Sequence, residues 1–239
     1  MIDAPQDASN GGNDAEHRRA VRSFVLRGGR LTEGQQRALN ELWPRFGVAD
    51  DEAEINLQTL FGNPAPVVME IGFGNGDASW QMAAARPDLN FLGVEVHRPG
   101  VGHLLLKIEE QELANIRIAC ADAVELLQQR IPRDSLDGVR IYFPDPWPKK
   151  RHHKRRIVQA AFLQLLASRM RSGSVLHLAT DWLPYAEFML EQIAQVGEFV
   201  NLSPAGDFCD KPSWRPRTKY EQRGERLGHG VRDLLFKIR

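Results

Sequence analysis

An apolar run leads directly into a glycine-rich turn in the segment Val67-Val68-Met69-Glu70-Ile71-Gly72-Phe73-Gly74-Asn75-Gly76. The run predicts a buried strand of a parallel sheet, because such strands are covered on both faces. Glycine lets the backbone turn sharply and lets a ligand approach without a Cβ in the way. The dinucleotide pattern Gly-x-Gly-x-x-Gly is incomplete, because Asp77 occupies its last position. The segment therefore indicates a ligand-binding turn of another kind, or a simple tight turn between strand and helix.

Beyond this segment, predicted strands and helices alternate along the chain. Strands are predicted at residues 67–71, 90–96, 116–120, 137–143, 174–179 and 231–238. Helices are predicted at residues 78–85, 101–113, 123–129, 157–170 and 184–197. This order predicts an α/β fold with a doubly wound, mainly parallel sheet and an antiparallel last strand.

The chain before this domain divides into two parts. Residues 1–17 show no apolar periodicity and are predicted to be a disordered tail. Residues 18–63 are predicted to form an N-terminal arm with one helix, which Thr32 and Gln35 begin as a capping box. Pro44 should end this helix near residue 43, because the residue before a proline disfavours the helical conformation. Residues 64–239 are then the α/β domain.

Composition excludes several classes of protein. Hydrophobic residues make up 42% of the 239, enough for a core, yet no run is long enough for a membrane helix. The start of the chain has no signal-peptide pattern, and two cysteines exclude a disulfide scaffold. The histidines show no ligand spacing. We therefore expect a cytoplasmic protein without a membrane segment and without a bound metal.

The net charge of zero hides two basic segments. Residues 149–156 contain six Lys and Arg and no acid, and residues 211–239 contain nine against three acids. The rest of the chain is acidic. This distribution favours a local surface that binds a polyanion, although a solvated basic surface would give the same pattern.

Acidic residues stand at the ends of three successive predicted strands: Glu70, Glu95 and Asp122. The carboxyl ends of parallel strands share one edge of the sheet, so these side chains should line a single crevice. A carboxylate at position 95 can accept hydrogen bonds from a ribose diol. Three acids favour a cationic, ribose-bearing ligand such as S-adenosylmethionine. A nucleotide-dependent oxidoreductase is the alternative.

The next two strand ends carry an aspartate followed by an aromatic residue. Asp145 lies between two prolines and before Trp147, and Asp181 is followed by Trp182. The prolines should hold the Asp145 carboxylate at the rim, and Trp147 could stack on a base. These residues predict a pocket for a nitrogenous base beside the basic run, or alternatively a rigid turn with a core tryptophan.

Six blocks between residues 22 and 236 carry a resemblance to a known family. They are Arg22-Ser-Phe-Val-Leu-Arg with Gly29-Arg-Leu-Thr, Glu70-Ile-Gly-Phe-Gly-Asn-Gly, Phe91-Leu-Gly-Val-Glu-Val-His, Phe143-Pro-Asp-Pro-Trp-Pro-Lys with Arg155-Arg156, Ala179-Thr-Asp-Trp, and Thr218-Lys-Tyr-Glu-Gln-Arg-Gly with Leu227-Gly-His-Gly. In this order they resemble the bacterial tRNA (guanine-N7)-methyltransferases. The resemblance implies a Rossmann-like, S-adenosylmethionine-dependent methyltransferase that modifies N7 of a guanine in the variable loop of tRNA. It leaves open whether the chain is a monomer or a homodimer.

The resemblance also implies roles for individual residues, by motif match. The cofactor-binding residues are Glu70, Gly72, Gly74, Glu95, Asp122 and Asp145, of which Asp145 is also catalytic. The substrate contacts are Lys149, Asp181, Thr218, Lys219, Tyr220 and Glu221. The RNA contacts are Arg151, Lys154, Arg155 and Arg156. We expect residues 218–230 to fold over the rim of the crevice. A methyltransferase acting on another RNA or on protein, and a noncatalytic tRNA-binding protein, are the alternatives.

Overall fold

A computed structural model describes residue 23, residues 29–217, residue 221 and residues 230–239. The predicted tail, residues 1–17, lies outside the described residues and stays a prediction. So does most of the predicted cover of the crevice, residues 218–230. Among the residues that are described, no helix is both long and apolar enough to cross a membrane.

A seven-stranded sheet forms the centre of the fold. Its spatial order is β3-β2-β1-β4-β5-β7-β6, with β7 antiparallel to both of its neighbours. The strands are β1 (Val67–Ile71), β2 (Asn90–Val94), β3 (Ile116–Ala119), β4 (Leu136–Tyr142), β5 (Met170–Thr180), β6 (Phe199–Asn201) and β7 (Arg232–Ile238). The predicted mainly parallel sheet and its antiparallel C-terminal strand are confirmed. The prediction succeeded because buried apolar runs are a strong signal for such strands.

Helices cover both faces of the sheet, as a doubly wound fold requires. They are α1 (Glu33–Glu41), α2 (Trp43–Phe46), α3 (Leu57–Phe61), α4 (Asp77–Ala85), α5 (Arg98–Glu110), α6 (Ala123–Gln129), α7 (Ala160–Ala167) and α8 (Leu183–Ile193). Residues of α3, α6, α7 and α8 pack into one apolar core, and residues of α1, α2, α4 and α5 pack into the other. The strands of the sheet separate the two cores.

Four parts of this structure differ from the sequence-based prediction. The helices at Trp43–Phe46 and Leu57–Phe61 and the short strand at Phe199–Asn201 were not predicted, because each is too short for a clear periodicity. Strand β5 begins at Met170, four residues before its predicted start at residue 174. Gly173 has a φ of 82° inside the strand, where the register with β4 shifts. A glycine within a strand marks such an irregularity.

The described part of the N-terminal arm packs onto the α/β domain. The capping box is confirmed, because Thr32 and Gln35 exchange their side-chain hydrogen bonds at the start of α1. The Gln35 side chain also donates to the Pro99 carbonyl at 3.1 Å. Farther along, the Val48 amide donates to the Ile118 carbonyl of β3 at 2.8 Å. These bonds join residues 29–63 to α5 and β3.

Helix α5 approaches the glycine-rich turn after β1 more closely than a side chain would allow. A Cβ on Gly100, in the first turn of α5, would lie 2.0 Å from the Gly74 carbonyl oxygen. No residue with a side chain fits there unless the turn or the helix moves. This contact therefore fixes the position of the turn.

We predict that Gly100→Ala destabilises the protein by roughly 1–3 kcal/mol, because overpacking forces the backbone to shift. Gly34→Ala is the matched control. It lies in α1, where a Cβ would meet Leu106 at an ordinary 3.7 Å, and it should stabilise by about 0.5–1 kcal/mol. Urea unfolding of both variants and the parent measures the difference. Equal stabilities for the two variants would contradict the close approach.

Candidate active site

A crevice opens at the carboxyl ends of β1 and β4. From β1 the chain continues to β2 and β3 on one side, while β4 and β5 lie on the other, so the connections diverge at this point. Ligands of open α/β sheets bind at such switch points. The cavity measures about 370 Å³. Its walls are formed by Ser23, Ile71, Gly72, Gly74, Asn75, Val94, Glu95, Val96, His97, Ala121, Asp122, Ala123, Ile141, Phe143, Pro144, Asp145 and Ile157.

The glycine-rich turn forms the floor of this crevice. Gly72, Gly74 and Gly76 have φ angles of 73°, 60° and 77°, which side chains rarely adopt. A Cβ on Gly72 or Gly74 would meet nothing within 4 Å, whereas one on Gly76 would lie 2.7 Å from Leu104. The first two glycines therefore keep the floor open, and the third allows α4 to pack against α5.

The Glu95 carboxylate joins two loops at the crevice wall. Its Oε2 accepts a hydrogen bond from the Gly74 amide at 2.9 Å. Its Oε1 accepts from the amides of Val96 at 2.7 Å and His97 at 3.0 Å. Each carboxylate oxygen offers about two acceptor positions, so only Oε2 keeps one available. Glu95 thus lies on the crevice wall, as predicted. Its contact with a ribose stays a prediction, for which Oε2 has one acceptor position available.

Asp122 also lies on the crevice wall, at the start of α6. Its carboxylate accepts a hydrogen bond from the Val124 amide at 2.8 Å and caps the helix. The side chain is thus held in place by the helix that it begins. Its predicted contact with the cofactor stays a prediction.

Glu70 lies behind the glycine-rich turn rather than on the crevice wall. It is 4% exposed, and the Ser79 hydroxyl of α4 donates to its Oε2 at 2.5 Å. Burial raises the pKa of Glu70 to about 7, although the hydrogen bond from Ser79 opposes this shift. In the structure Glu70 ties β1 to α4. Direct contact with a cofactor stays a prediction.

Asp145 is exposed on the crevice wall, within the turn that follows β4. Phe143 and Trp147 on either side of it have φ angles of 51° and 43°, in the left-handed region. Such residues cost about 1–3 kcal/mol each and cluster at active sites. The Phe143 amide donates to the Ala179 carbonyl of β5 at 2.7 Å, which fixes where the turn begins.

Arg156 contacts the same turn with its guanidinium. Its Nε donates to the Pro146 carbonyl at 2.9 Å. The guanidinium carbon lies 4.8 Å from the centre of the Tyr185 ring and 4.6 Å from that of Phe188. The residue is 4% exposed, which is at odds with the predicted RNA contact. The guanidinium instead links the Asp145 turn to α8.

The remaining basic residues of the run form a 3-10 helix, Lys150–Arg155. Arg151 and Lys154 are exposed, as is Lys149 just before the helix. The Arg155 guanidinium lies over the Trp147 ring, 4.2 Å from its centre. The indole nitrogen of Trp147 donates to the Ser23 carbonyl at 3.2 Å. Trp147 thus already contacts Arg155 and Ser23. A base would have to stack on the part of the ring that these two residues leave uncovered.

The predicted substrate contacts are only partly described. Thr218, Lys219 and Tyr220 lie outside the described residues. Asp181 is half-buried and follows β5, at the edge of the sheet where Asp145 follows β4. Glu221 is 3% exposed, and both of its oxygens are bonded to Lys211 and Arg215. Contact between Glu221 and the substrate stays a prediction. In the structure its carboxylate already forms these ion pairs.

Sequence reasoning did not single out Arg215, Asp233 or His177, which are among the most buried polar residues of the described chain. Asp233 did carry a signal, because it directly precedes the apolar residues 234–236 of β7, and a carboxylate buried beside them needs a partner. No group of three or more His, Cys, Asp or Glu side chains is placed to hold a metal ion within the described residues.

Comparison with known proteins adds an independent line of observation. A family described as "Putative methyltransferase" matches residues 64–234. A tRNA (guanine-N(7)-)-methyltransferase of Alcanivorax borkumensis is 57% identical over 221 residues, which is 92% of each chain. Proteins of the same name from Halorhodospira halophila and Yersinia pseudotuberculosis are each 55% identical, over 92% of this chain and 96% and 92% of theirs. The chain belongs to the tRNA (guanine-N7)-methyltransferase family.

Solved structures confirm the methyltransferase fold. The 16S rRNA methyltransferase KamB matches with a TM-score of 0.55 at 16% identity, over 81% of this chain and 98% of its own. The antibiotic-resistance methyltransferase Kmr matches with a TM-score of 0.51 at 14% identity, over 77% and 91%. At these identities the likeness concerns the fold alone. The predicted Rossmann-like architecture of the family is therefore confirmed.

The raised pKa of Glu70 predicts that its carboxyl group destabilises the fold as the pH rises. Between pH 4.5 and about 7 the unfolded chain releases this proton while the folded chain retains it. The free energy of unfolding therefore falls with pH. Glu70→Gln removes this effect, so relative to the parent it should gain about 2–3 kcal/mol between pH 5 and pH 8. Urea unfolding at both pH values measures this, and an equal pH dependence in both proteins would contradict it.

Proposed function

We propose that this chain transfers a methyl group from S-adenosylmethionine to N7 of a guanine in the variable loop of tRNA. The observation that carries the proposal is the meeting of the glycine-rich turn, Glu95, Asp122 and Asp145 on the walls of one crevice. The name shared by relatives at 55–57% identity supports the reaction and the tRNA substrate. We further propose that the protein works in the cytoplasm, as a monomer or a homodimer.

The residues of the crevice suit this cofactor. Gly72 and Gly74 leave open space where side chains would otherwise project. Glu95 keeps one acceptor position for a ribose hydroxyl, and Asp122 adds a second carboxylate at the next strand end. When bound, S-adenosylmethionine supplies a methyl group on a positively charged sulfur. Carboxylates around the crevice favour a ligand of that charge.

The chemistry of guanine determines what the protein has to contribute. N7 carries a lone pair and no proton, so its bond to the methyl carbon forms without a general base. The electron pair of the carbon–sulfur bond leaves with the sulfur, and the positive charge moves from the sulfur onto the purine. Orientation and electrostatic stabilisation are then the catalytic effects that remain. Asp145 and Asp181 orient the base through its N–H groups and stabilise the cation that develops.

The proposal predicts methylated tRNA as the product. The protein is incubated with labelled S-adenosylmethionine and unmodified bulk tRNA, and the RNA is then reduced and treated with aniline, which cleaves at 7-methylguanine. Cleavage in the variable loop is expected. Asp145→Asn should lower turnover roughly 10²-fold, as loss of a charge-stabilising group does. Absence of cleavage with the parent would refute the function, and full turnover with unchanged pH dependence in Asp145→Asn would refute the role of Asp145.

The exposed part of the basic run predicts a salt-dependent tRNA affinity. Arg151→Gln and Lys154→Gln should each weaken binding and lower the slope of log affinity against log salt by about one. Arg156→Gln is the matched control, because its guanidinium is buried against Pro146, Tyr185 and Phe188. Its slope should equal that of the parent. Filter binding at several salt concentrations measures all three variants, and a lower slope in Arg156→Gln would restore Arg156 as an RNA contact.

A further inference from the structure

Trp182 is an exposed aromatic residue at the carboxyl edge of the sheet. It comes directly after Asp181, which follows β5, and 39% of it is exposed. Few large apolar residues of the described chain are so open to solvent, and the neighbouring Leu183 is another, at 42%. An exposed indole offers a flat apolar surface on which a base can stack.

The backbone holds Trp182 in a defined position. Its amide donates to the Thr180 hydroxyl at 3.2 Å. Its carbonyl, at the start of α8, accepts from the amides of Tyr185 at 2.9 Å and Ala186 at 3.1 Å. A fixed backbone reduces the entropy that is lost when a base stacks on the side chain.

The register of the sheet places Trp182 beside Asp145. Tyr142 of β4 is paired in register with Ala179 of β5. Asp145 follows the first of these residues by three positions, and Trp182 follows the second by three. Adjacent strands lie about 4.8 Å apart. The two residues therefore leave the sheet at neighbouring points of the edge where the crevice opens.

Arg156 links the two positions through direct contacts. Its Nε donates to the carbonyl of Pro146, the residue after Asp145, at 2.9 Å. Its guanidinium carbon lies 4.8 Å from the centre of the Tyr185 ring, and the Tyr185 amide donates to the Trp182 carbonyl. Burial raises the pKa of Tyr185, and the nearby charge of Asp145 raises it further. One arginine side chain therefore spans the distance from the Asp145 turn to the first turn of α8.

Trp147, the aromatic residue of the Asp145 turn, is less available for stacking. The Arg155 guanidinium carbon lies 4.2 Å from the centre of its ring. The centre of the His152 ring lies 5.9 Å away, and the indole nitrogen donates to the Ser23 carbonyl. In the part of the chain that the structure describes, neither a ring nor a guanidinium group stacks on the Trp182 indole, which stays exposed. The structure therefore favours Trp182 as the stacking surface.

We propose that the Trp182 indole stacks on the guanine that is methylated and holds its N7 toward the crevice. This inference rests on the proposed function, in which the methyl donor lies in the crevice that Asp145 borders. Hydrogen bonds from the base to Asp145 and Asp181 act within the plane of the base, whereas an indole acts on its face. The carboxylates then fix how the base is rotated, and Trp182 fixes the plane in which it lies.

The test is a double-mutant cycle between the protein and the RNA. Trp182→Leu removes the ring but keeps an apolar side chain. A tRNA with an abasic nucleotide at the methylated position, which the aniline cleavage identifies, removes the base. Filter binding is measured with S-adenosylhomocysteine in place of the methyl donor, so that no transfer takes place.

The two RNAs should respond differently to the loss of the ring. Trp182→Leu should weaken the binding of intact tRNA roughly tenfold, because stacking on an aromatic ring contributes affinity of that order for each base. It should change the binding of abasic tRNA less than about twofold, because the partner of the ring is already absent. Trp182→Gln, which also lacks a ring, should give the same result and replaces Trp182→Leu if that variant does not fold.

Two further variants serve as controls. Trp182→Phe keeps a smaller ring, so it should bind intact tRNA within about threefold of the parent. Leu183→Ala is the matched control, because Leu183 is adjacent and similarly exposed but has no aromatic face. It should bind both RNAs as the parent does. The dissociation constant for S-adenosylmethionine should equal that of the parent in every variant, because Glu95 and the glycine-rich turn are intact.

Each other outcome contradicts the inference in a recognisable way. Equal weakening of intact and abasic tRNA would show that the indole contacts another nucleotide or only supports the fold. Equal losses in Trp182→Leu and Leu183→Ala would show an apolar docking surface rather than a stacked base. Parent-like binding of intact tRNA without the ring would show that Trp182 contacts no base. A parent protein that makes no 7-methylguanine would refute the proposed function itself, and that failure is seen before any variant is compared.

Discussion

The arrangement of the crevice depends on the hydrogen bonds that the Glu95 carboxylate accepts from backbone amides. These amides belong to two loops, one after β1 at Gly74 and one after β2 at Val96 and His97. Parallel strands alone do not fix the loops that follow them. A carboxylate bonded to both loops does, and it lets α5 pack directly against the glycine-rich turn at Gly100. The floor and one wall of the crevice are therefore built as a unit.

The sequence was sufficient for the fold and for this wall, for a simple physical reason. Strands β1 to β4 are mainly apolar, and glycine, an acid or proline follows each of them within three residues, so the end of each strand is marked. The carboxyl ends of parallel strands lie at the same edge of a sheet. Acids at those ends could therefore be predicted to lie close together before any contact was known. Glu95, Asp122 and Asp145 were placed on this basis, and all three line the crevice.

The same reasoning was less informative where burial depends on distant partners. Glu70 shares its strand face with Val68, and that face packs against α4, so alternation within β1 could have placed it behind the turn. Arg156 gives no such signal in the sequence. Its position within a basic run predicts an exposed charge. Its burial is explained by the rings of Tyr185 and Phe188, which lie some thirty residues later in the sequence.

Arg156 and Arg215 show that a basic segment can serve two purposes at once. Both come from the segments whose charge suggested a polyanion-binding surface, yet both are buried with their donors directed at protein acceptors. Arg156 fixes the turn that carries Asp145, and Arg215 lies against Phe143 at the start of that turn. Arg151 and Lys154 are exposed, and they are the residues that we propose to contact phosphates. Arginine suits the buried role because its guanidinium can stack on rings and bind several acceptors in one plane. If the exposed charges bind a polyanion as proposed, burial separates them from the charges that shape the site, although the two kinds of residue are adjacent in sequence.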